Sequence, residues 1–233
     1  YRQLFVDDGI VDEMRGVSKT LHQPIKYAGN PVMIPLYPWE GKIELYGTVW
    51  RDLDGGFRMW YQGMGGLAIP PMAKDISGSP WKGFDASNLL YTIGYATSQN
   101  GVHWERPNLG LVEYKGSKDN NLTMTDAAYA NVIKDPRDPD PDRLYKSLFF
   151  EARDPSGTPN MGDGVSVAFS PDGIRWTKYE GNPVITRASD AHTLLGWDDL
   201  HGMYVSYCRP SVHEGNMVRR IGRSVSKDFM EWT

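Results

Sequence analysis

Ser98-Gln99-Asn100-Gly101-Val102-His103-Trp104, Ser170-Pro171-Asp172-Gly173-Ile174-Arg175-Trp176 and Ser226-Lys227-Asp228-Phe229-Met230-Glu231-Trp232 are three versions of one turn closed by a tryptophan, with the tryptophans 72 and 56 residues apart. Asn-Gly and Asp-Gly supply the positive φ angles that a tight hairpin turn requires, and the tryptophan that follows can pack between neighbouring sheets. Each turn is therefore read as a hairpin between the two outer strands of a unit. Upstream of each lie two further strand-like runs: Leu45 to Arg51 with Phe57 to Gln62, Asn131 to Lys134 with Leu144 to Phe150, and His192 to Trp197 with Met203 to Tyr207. Four short strands per unit, repeated along the chain, predict an all-β fold of the β-propeller type with four-stranded antiparallel blades.

Blades are expected at about 44–113, 126–184 and 190–233, the last cut short, with 1–43 as lead-in. A second echo supports the repeat, because Lys178-Tyr179-Glu180-Gly181-Asn182-Pro183-Val184 matches Lys26-Tyr27-Ala28-Gly29-Asn30-Pro31-Val32 at six of seven positions. Lys19 to Val32 thus reads as the outer strand of an earlier blade, closing a ring with strands that would follow Thr233. On this reading the chain is a fragment or a half that needs a partner. An open propeller exposes strand edges, so oligomerisation is expected.

The 233 residues suffice for one all-β domain with a sizeable core. A net charge of -4, with no basic run longer than Arg219-Arg220, argues against nucleic acid or an anionic membrane as partner and favours a neutral or weakly charged ligand. No stretch approaches the ~20 apolar residues of a bilayer span. The lone Cys208 cannot form an internal disulfide and is expected as a small buried residue on a strand. The chain opens on Tyr1, which fits a removed leader and a secreted or periplasmic protein and leaves the cytoplasm open.

Gln3-Leu4-Phe5-Val6-Asp7-Asp8, Leu21-His22-Gln23-Pro24 before Gly29-Asn30-Pro31-Val32, and Tyr46-Gly47-Thr48-Val49 followed by Phe57-Arg58-Met59-Trp60-Tyr61 resemble bacterial proteins related to glycoside hydrolase families 32 and 43. The resemblance covers nearly the whole chain and implies a five-bladed propeller glycosidase with a sugar-binding funnel on its axis. Acidic residues at the heads of the innermost strands would line that funnel. Hydrolysis commonly uses two carboxyl groups, one protonating the departing oxygen and one activating water or attacking the anomeric carbon. No cofactor is required, although an axial calcium is common in the related group.

Asp190, in Asp190-Ala191-His192 before an inner strand, matches that pattern best, the alternative being a turn or capping aspartate. His192, two residues on, shares its face and would bind a sugar hydroxyl or else pack in the core. Glu44 holds the corresponding place in the first blade, beside Trp39 and Tyr46, where desolvation would suit it to general acid work; the alternative is a solvent-facing strand residue. Asp126 precedes the second inner strand, four residues earlier than the pattern asks. Glu151, in Phe150-Glu151-Ala152-Arg153-Asp154-Pro155, would reach the rim or serve in a surface salt bridge. Trp39 is the aromatic outside the repeat chosen as a sugar platform, Arg209 is a candidate binder of hydroxyl or carboxylate, and Asp8 would bind substrate or play a structural part.

Neither His-Glu-x-x-His nor paired-Cys metal spacing occurs, and Gly63-Met64-Gly65-Gly66 opens no helix, which leaves a nucleotide loop unsupported. Two rivals stand beside the glycosidase. One is a sialidase-type propeller, from the likeness of Ser170–Trp176 to an Asp-box turn, although that turn is a residue short and no arginine triad is evident. The other is a propeller that binds glycan or protein without catalysis.

Overall fold

The computed structural model describes residues 7–65, 90–151, 164–186, 188–210 and 220–233, with backbone alone at 189–191. The chain divides into two compact units, Tyr1–Pro31 and Val32–Thr233.

In the first unit the described residues form no strand. The echoed heptapeptide is instead a turn in both of its copies: the Asn30 N–H donates to Tyr27 O at 3.2 Å, and the Asn182 N–H donates to Tyr179 O at 3.3 Å. Each tyrosine ring folds back over the glycine between them, and a Cβ on Gly29 or Gly181 would lie 2.5 Å from that ring. Lys19 to Val32 therefore echoes a turn where the sequence reading expected an outer strand. Its Gly-Asn-Pro core encodes the reversal, and a strand would also need a partner to pair with.

The second unit is all-β and propeller-like. The first sheet runs β1 (Ile43–Arg51), β2 (Phe57–Gly65), β3 (Leu90–Ser98) and β4 (Leu122–Thr125) in that order. The second runs β5 (Ala127–Lys134), β6 (Tyr145–Glu151), β7 (Val165–Ser170) and β8 (Thr177–Lys178). The third holds β9 (Ala188–Asp198), β10 (Met203–Pro210) and β11 (Gly222–Ser226), and Thr233 adds a fourth edge through two backbone bonds of 3.0 Å to Val225. Every pairing is antiparallel. In the first sheet the outer edge is interrupted, because Glu105 bridges Thr97 directly after the turn and β4 rejoins only at Thr92–Gly94.

The three quoted turns are one structure. Ser98, Ser170 and Ser226 accept through Oγ from the N–H three residues on (2.8–2.9 Å), and Asn100, Asp172 and Asp228 each accept two further N–H groups through Oδ1. Trp104 and Trp232 then donate Nε1 to the carbonyls of Gly101 and Phe229. Trp176 does not, since Trp60 of the first sheet takes the carbonyl of Gly173 at 2.6 Å and leaves the Trp176 N–H buried without a partner.

That intrusion reveals how the sheets stack. Trp60 lies in the core between the first and second sheets, and a Cβ on Gly173 would sit 2.9 Å from its ring. At the corresponding register position of β6 stands Leu148, and the glycine of the facing turn is replaced by Phe229, fully buried at φ +70°. Tryptophan against glycine at one interface thus gives way to leucine and phenylalanine in the core at the next. The inner strands are also tied side by side. Thr48 Oγ1 accepts from Val132 N at 2.8 Å, and Asn131 Oδ1 accepts from Leu194 N at 2.9 Å. Cys208 is buried on β10 in the core between the second and third sheets.

At or one residue past the end of each inner strand stands an aspartate with a basic partner: Asp52 with Arg58, Asp135 with Arg137 and Lys146, Asp198 with His201. The middle cluster is the most buried. Lys146 Nζ, wholly inaccessible, donates to Asp138 at 2.7 Å and to Arg143 O at 2.8 Å, while the Tyr204 hydroxyl of the third sheet donates to Asp135. Arg137 lies over the Trp197 ring at 4.3 Å.

Burial alone would raise the carboxyls of Asp135, Asp138, Asp172 and Asp228. Hydrogen bonds and cations outweigh it and hold all four below the usual value. Groups depressed in the folded state stabilise it above the unfolded value of about 3.9, and that stabilisation is lost as pH falls through the folded value. Melting temperature is accordingly expected to decline on acidification below about pH 4. Asp172→Asn with Asp228→Asn should keep both caps, as Asn100 shows, and flatten that decline. An unchanged slope in thermal unfolding across pH 2–5 would refute the assignment.

Candidate functional site at the heads of the inner strands

Each inner strand bulges at its beginning. Register slips in β1 between Glu44 and Thr48, in β5 between Ala128 and Asn131, and in β9 between Ala188 and His192. Bulges re-aim side chains and are common beside active sites. The stretches they free contain Tyr46, Tyr129 and Asp190; β1 and β9 each carry two extra residues there and β5 carries one, so the same end of the three adjacent strands is irregular in each.

Glu44 and Asp126 lie at this end, and so does the backbone of Asp190, whose side chain lies outside the described residues. Glu44 is largely buried and accepts at both oxygens, at Oε1 from Lys42 Nζ and at Oε2 from Gln62 Nε2 at 3.3 Å. Gln62 Oε1 in turn accepts the Tyr129 N–H of the neighbouring sheet at 2.8 Å. Asp126 stands directly before β5 at φ +54°, its N–H bound to Tyr91 O at 2.9 Å. The strand starts earlier than the sequence reading placed it. Ala127, Ala128 and Ala130 give no β-branched signal, yet they are buried against β6 and the first sheet.

Other sequence-named residues are placed as follows. Glu151 ends β6 opposite Ala127, but its Oε1 accepts from Lys178 Nζ of the outer strand at 2.7 Å. Arg153 and Asp154 lie outside the described residues. His192 is buried, with Nε2 donating to the Leu148 carbonyl of the second sheet at 3.2 Å. Arg209, half-buried on β10, lies between the partners of His192 and Ala188 and so runs opposite the bulge that contains Asp190. Asp8, in the first unit, is exposed and paired with Lys19 at 2.9 Å.

Trp39 is held on the first sheet: its Nε1 donates to Asn121 at 2.9 Å, Tyr37 stacks on it at 4.7 Å, and its carbonyl accepts from Thr92. Next to it the fully buried Glu40 accepts from Leu36 N, Tyr37 N, Tyr61 OH and Arg106 Nε at 2.6–3.1 Å. Burial first, and the Glu40 charge second, push the Tyr61 phenol up. This network fastens residues 36–40 over Gly63 and Gly65, where no Cβ would fit at Gly63, and so fixes the entry to β1.

Sequence reasoning missed Gln62 and Tyr129. Gln62 sits inside an apolar strand with nothing to mark it, and Tyr129 needs the β5 bulge to emerge. Among the described residues no group of three or more His, Cys, Asp or Glu could hold a metal ion, and no helix is long and apolar enough to cross a membrane.

No family model and no curated protein sequence matches the chain. Among solved structures it is similar to β-1,2-mannobiose phosphorylase from Listeria innocua, in complex with β-1,2-mannobiose, with a TM-score of 0.52 and 15% identity over 89% of this chain and 64% of that one. It also matches a glycosyl hydrolase from Bacteroides ovatus (TM-score 0.44, 15% identity, 79% and 48% coverage) and a fructofuranosidase from Schwanniomyces occidentalis complexed with fructosylnystose (0.46, 18%, 76% and 30%). At 15% identity the first match establishes a shared fold and no more. The chain spans between 30% and 64% of the length of these three structures.

Proposed function

We propose that this chain belongs to a five-bladed β-propeller glycoside hydrolase, secreted or periplasmic, that cleaves neutral or weakly acidic glycans, its ring completed by further blades or by a second copy. The observation that carries the reading is that Glu44, Asp126 and the Asp190 backbone all stand at the same, bulged end of three adjacent inner strands. Both oxygens of Glu44 already accept hydrogen bonds, from Lys42 and Gln62. A proton-donating acid must carry hydrogen on one of its oxygens, so Glu44 serves as the partner carboxylate, and the acid falls to Asp126 or Asp190. Arg209, opposite the Asp190 bulge, would hold the sugar.

The test is release of reducing ends from a panel of oligosaccharides, with and without inorganic phosphate, because a phosphorylase shares the fold. Glu44→Gln and Asp190→Asn are each expected to lower the rate about a hundredfold while the fold is kept. Full activity in both variants would remove these carboxylates from the chemistry.

A glycan-binding propeller is the second reading, favoured by the structural engagement of Glu151 with Lys178 and of His192 with Leu148. Binding without cleavage by the unmodified protein would establish it.

A further inference from the structure

We infer that Tyr46 and Tyr129 form a sugar-stacking corner beside Glu44, built to take the apolar face of an uncharged pyranose or furanose ring; its place next to a reacting bond rests on the glycosidase reading. The two rings come from corresponding bulges of adjacent inner strands and meet edge to face, with centroids 4.9 Å apart and planes at 84°. Tyr91 closes the back at 6.4 Å from Tyr129. Tyr46 is 54% exposed on its inner strand.

The backbone of Tyr129 adds a second, independent observation. It stands at φ +58°, in the left-handed region that a bulky residue rarely enters. Side chains hold it there from both ends: Gln62 Oε1 accepts its N–H at 2.8 Å, and Asn131 Nδ2 donates to its carbonyl at 2.8 Å. Glycine would occupy this position without strain, yet the chain has a tyrosine and two buttresses for it. Gln62 uses its other end on Glu44, so one buried amide orients the aromatic corner and the carboxylate together. Gln62 is in this sense a positioning residue. A ring stacked on the corner would present its edge hydroxyls and its glycosidic oxygen to Glu44. An alternating C–H face suits this pair of π-surfaces, whereas a carboxylated sugar would bring its charge towards Glu44, whose nearby cation Lys42 is already engaged.

Tyr129→Gly separates recognition from folding, because it removes the ring where glycine is the relaxed residue; Tyr46→Ala removes an exposed ring. Saturation-transfer NMR would be recorded with partial hydrolysates of yeast mannan, inulin, xylan and arabinan as neutral probes and of polygalacturonate as the acidic one, on the unmodified protein, Glu44→Gln and both tyrosine variants. The expected result is binding of at least one neutral hydrolysate by the unmodified protein and by Glu44→Gln, weakened about tenfold or more in each tyrosine variant, with the melting temperature of Tyr129→Gly unchanged or higher. Equal binding by both tyrosine variants, a marked fall in the Tyr129→Gly melting temperature, or preference for polygalacturonate would overturn the corner. If neutral glycan binds through the tyrosines but is never cleaved, the corner stands and the hydrolase reading falls. If cleavage depends on Glu44 but not on the tyrosines, the reverse holds. No binding of any hydrolysate overturns both.

Discussion

Gly47→Ala is expected to lower the melting temperature by roughly 6–12 °C, the equivalent of about 3 kcal/mol in a domain of this size. A Cβ at this position would sit 1.9 Å from the carbonyl oxygen of Trp60 and 2.9 Å from its carbonyl carbon. Both are backbone atoms, and Trp60 is itself fixed by its bond to Gly173. No side chain can swing aside, so β1 must part from β2. Gly47 lies inside the β1 bulge with Tyr46, and the same displacement should weaken glycan binding. Thermal unfolding decides the matter: a variant melting within about 2 °C of the parent would show that the bulge yields freely.

Lys146→Met should destabilise the protein by about 3–5 kcal/mol, the usual penalty for removing one partner of a buried ion pair. The ammonium is inaccessible and serves Asp138, Asp135 and the Arg143 carbonyl together. Methionine replaces most of the aliphatic stem, one atom shorter, and supplies no N–H donor. Most of the loss is the uncompensated charge on the aspartates, so adding Asp138→Asn should restore part of it. Urea denaturation of the single and double variants measures both steps. A single variant within about 1 kcal/mol of the parent would show that water or Arg137 replaces the ammonium.

The turns were legible in the sequence because their chemistry is local. Ser, Asn or Asp, and the residue at positive φ bond within a few residues of one another, and the structure repeats those bonds three times. Strand runs rich in aromatic and β-branched residues were legible for the same reason. The bulges were not. A slip of register depends on what the neighbouring strand offers, and the alanines of β5 conceal that the strand begins directly after Asp126. Gln62, Glu40 and Lys146 also escaped notice: each is a polar residue whose partners lie on other elements, and spacing along the chain carries no trace of a bond to Tyr129, Arg106 or Asp138. The Lys26–Val32 echo was recognised as a repeat and misread as a strand, since similarity between two segments shows that they fold alike without saying into what.

The exchange of Trp60 and Gly173 for Leu148 and Phe229 has a consequence for descent. A gene that grows by copying one blade begins with interchangeable parts, and these have ceased to be so. A tandem duplicate of the second sheet would bring Leu148 against Gly173 and leave a void where a ring should be. Serial order is therefore written into the interfaces pair by pair, and recombination that shuffles blades should fail where a cut that preserves their sequence around the axis succeeds.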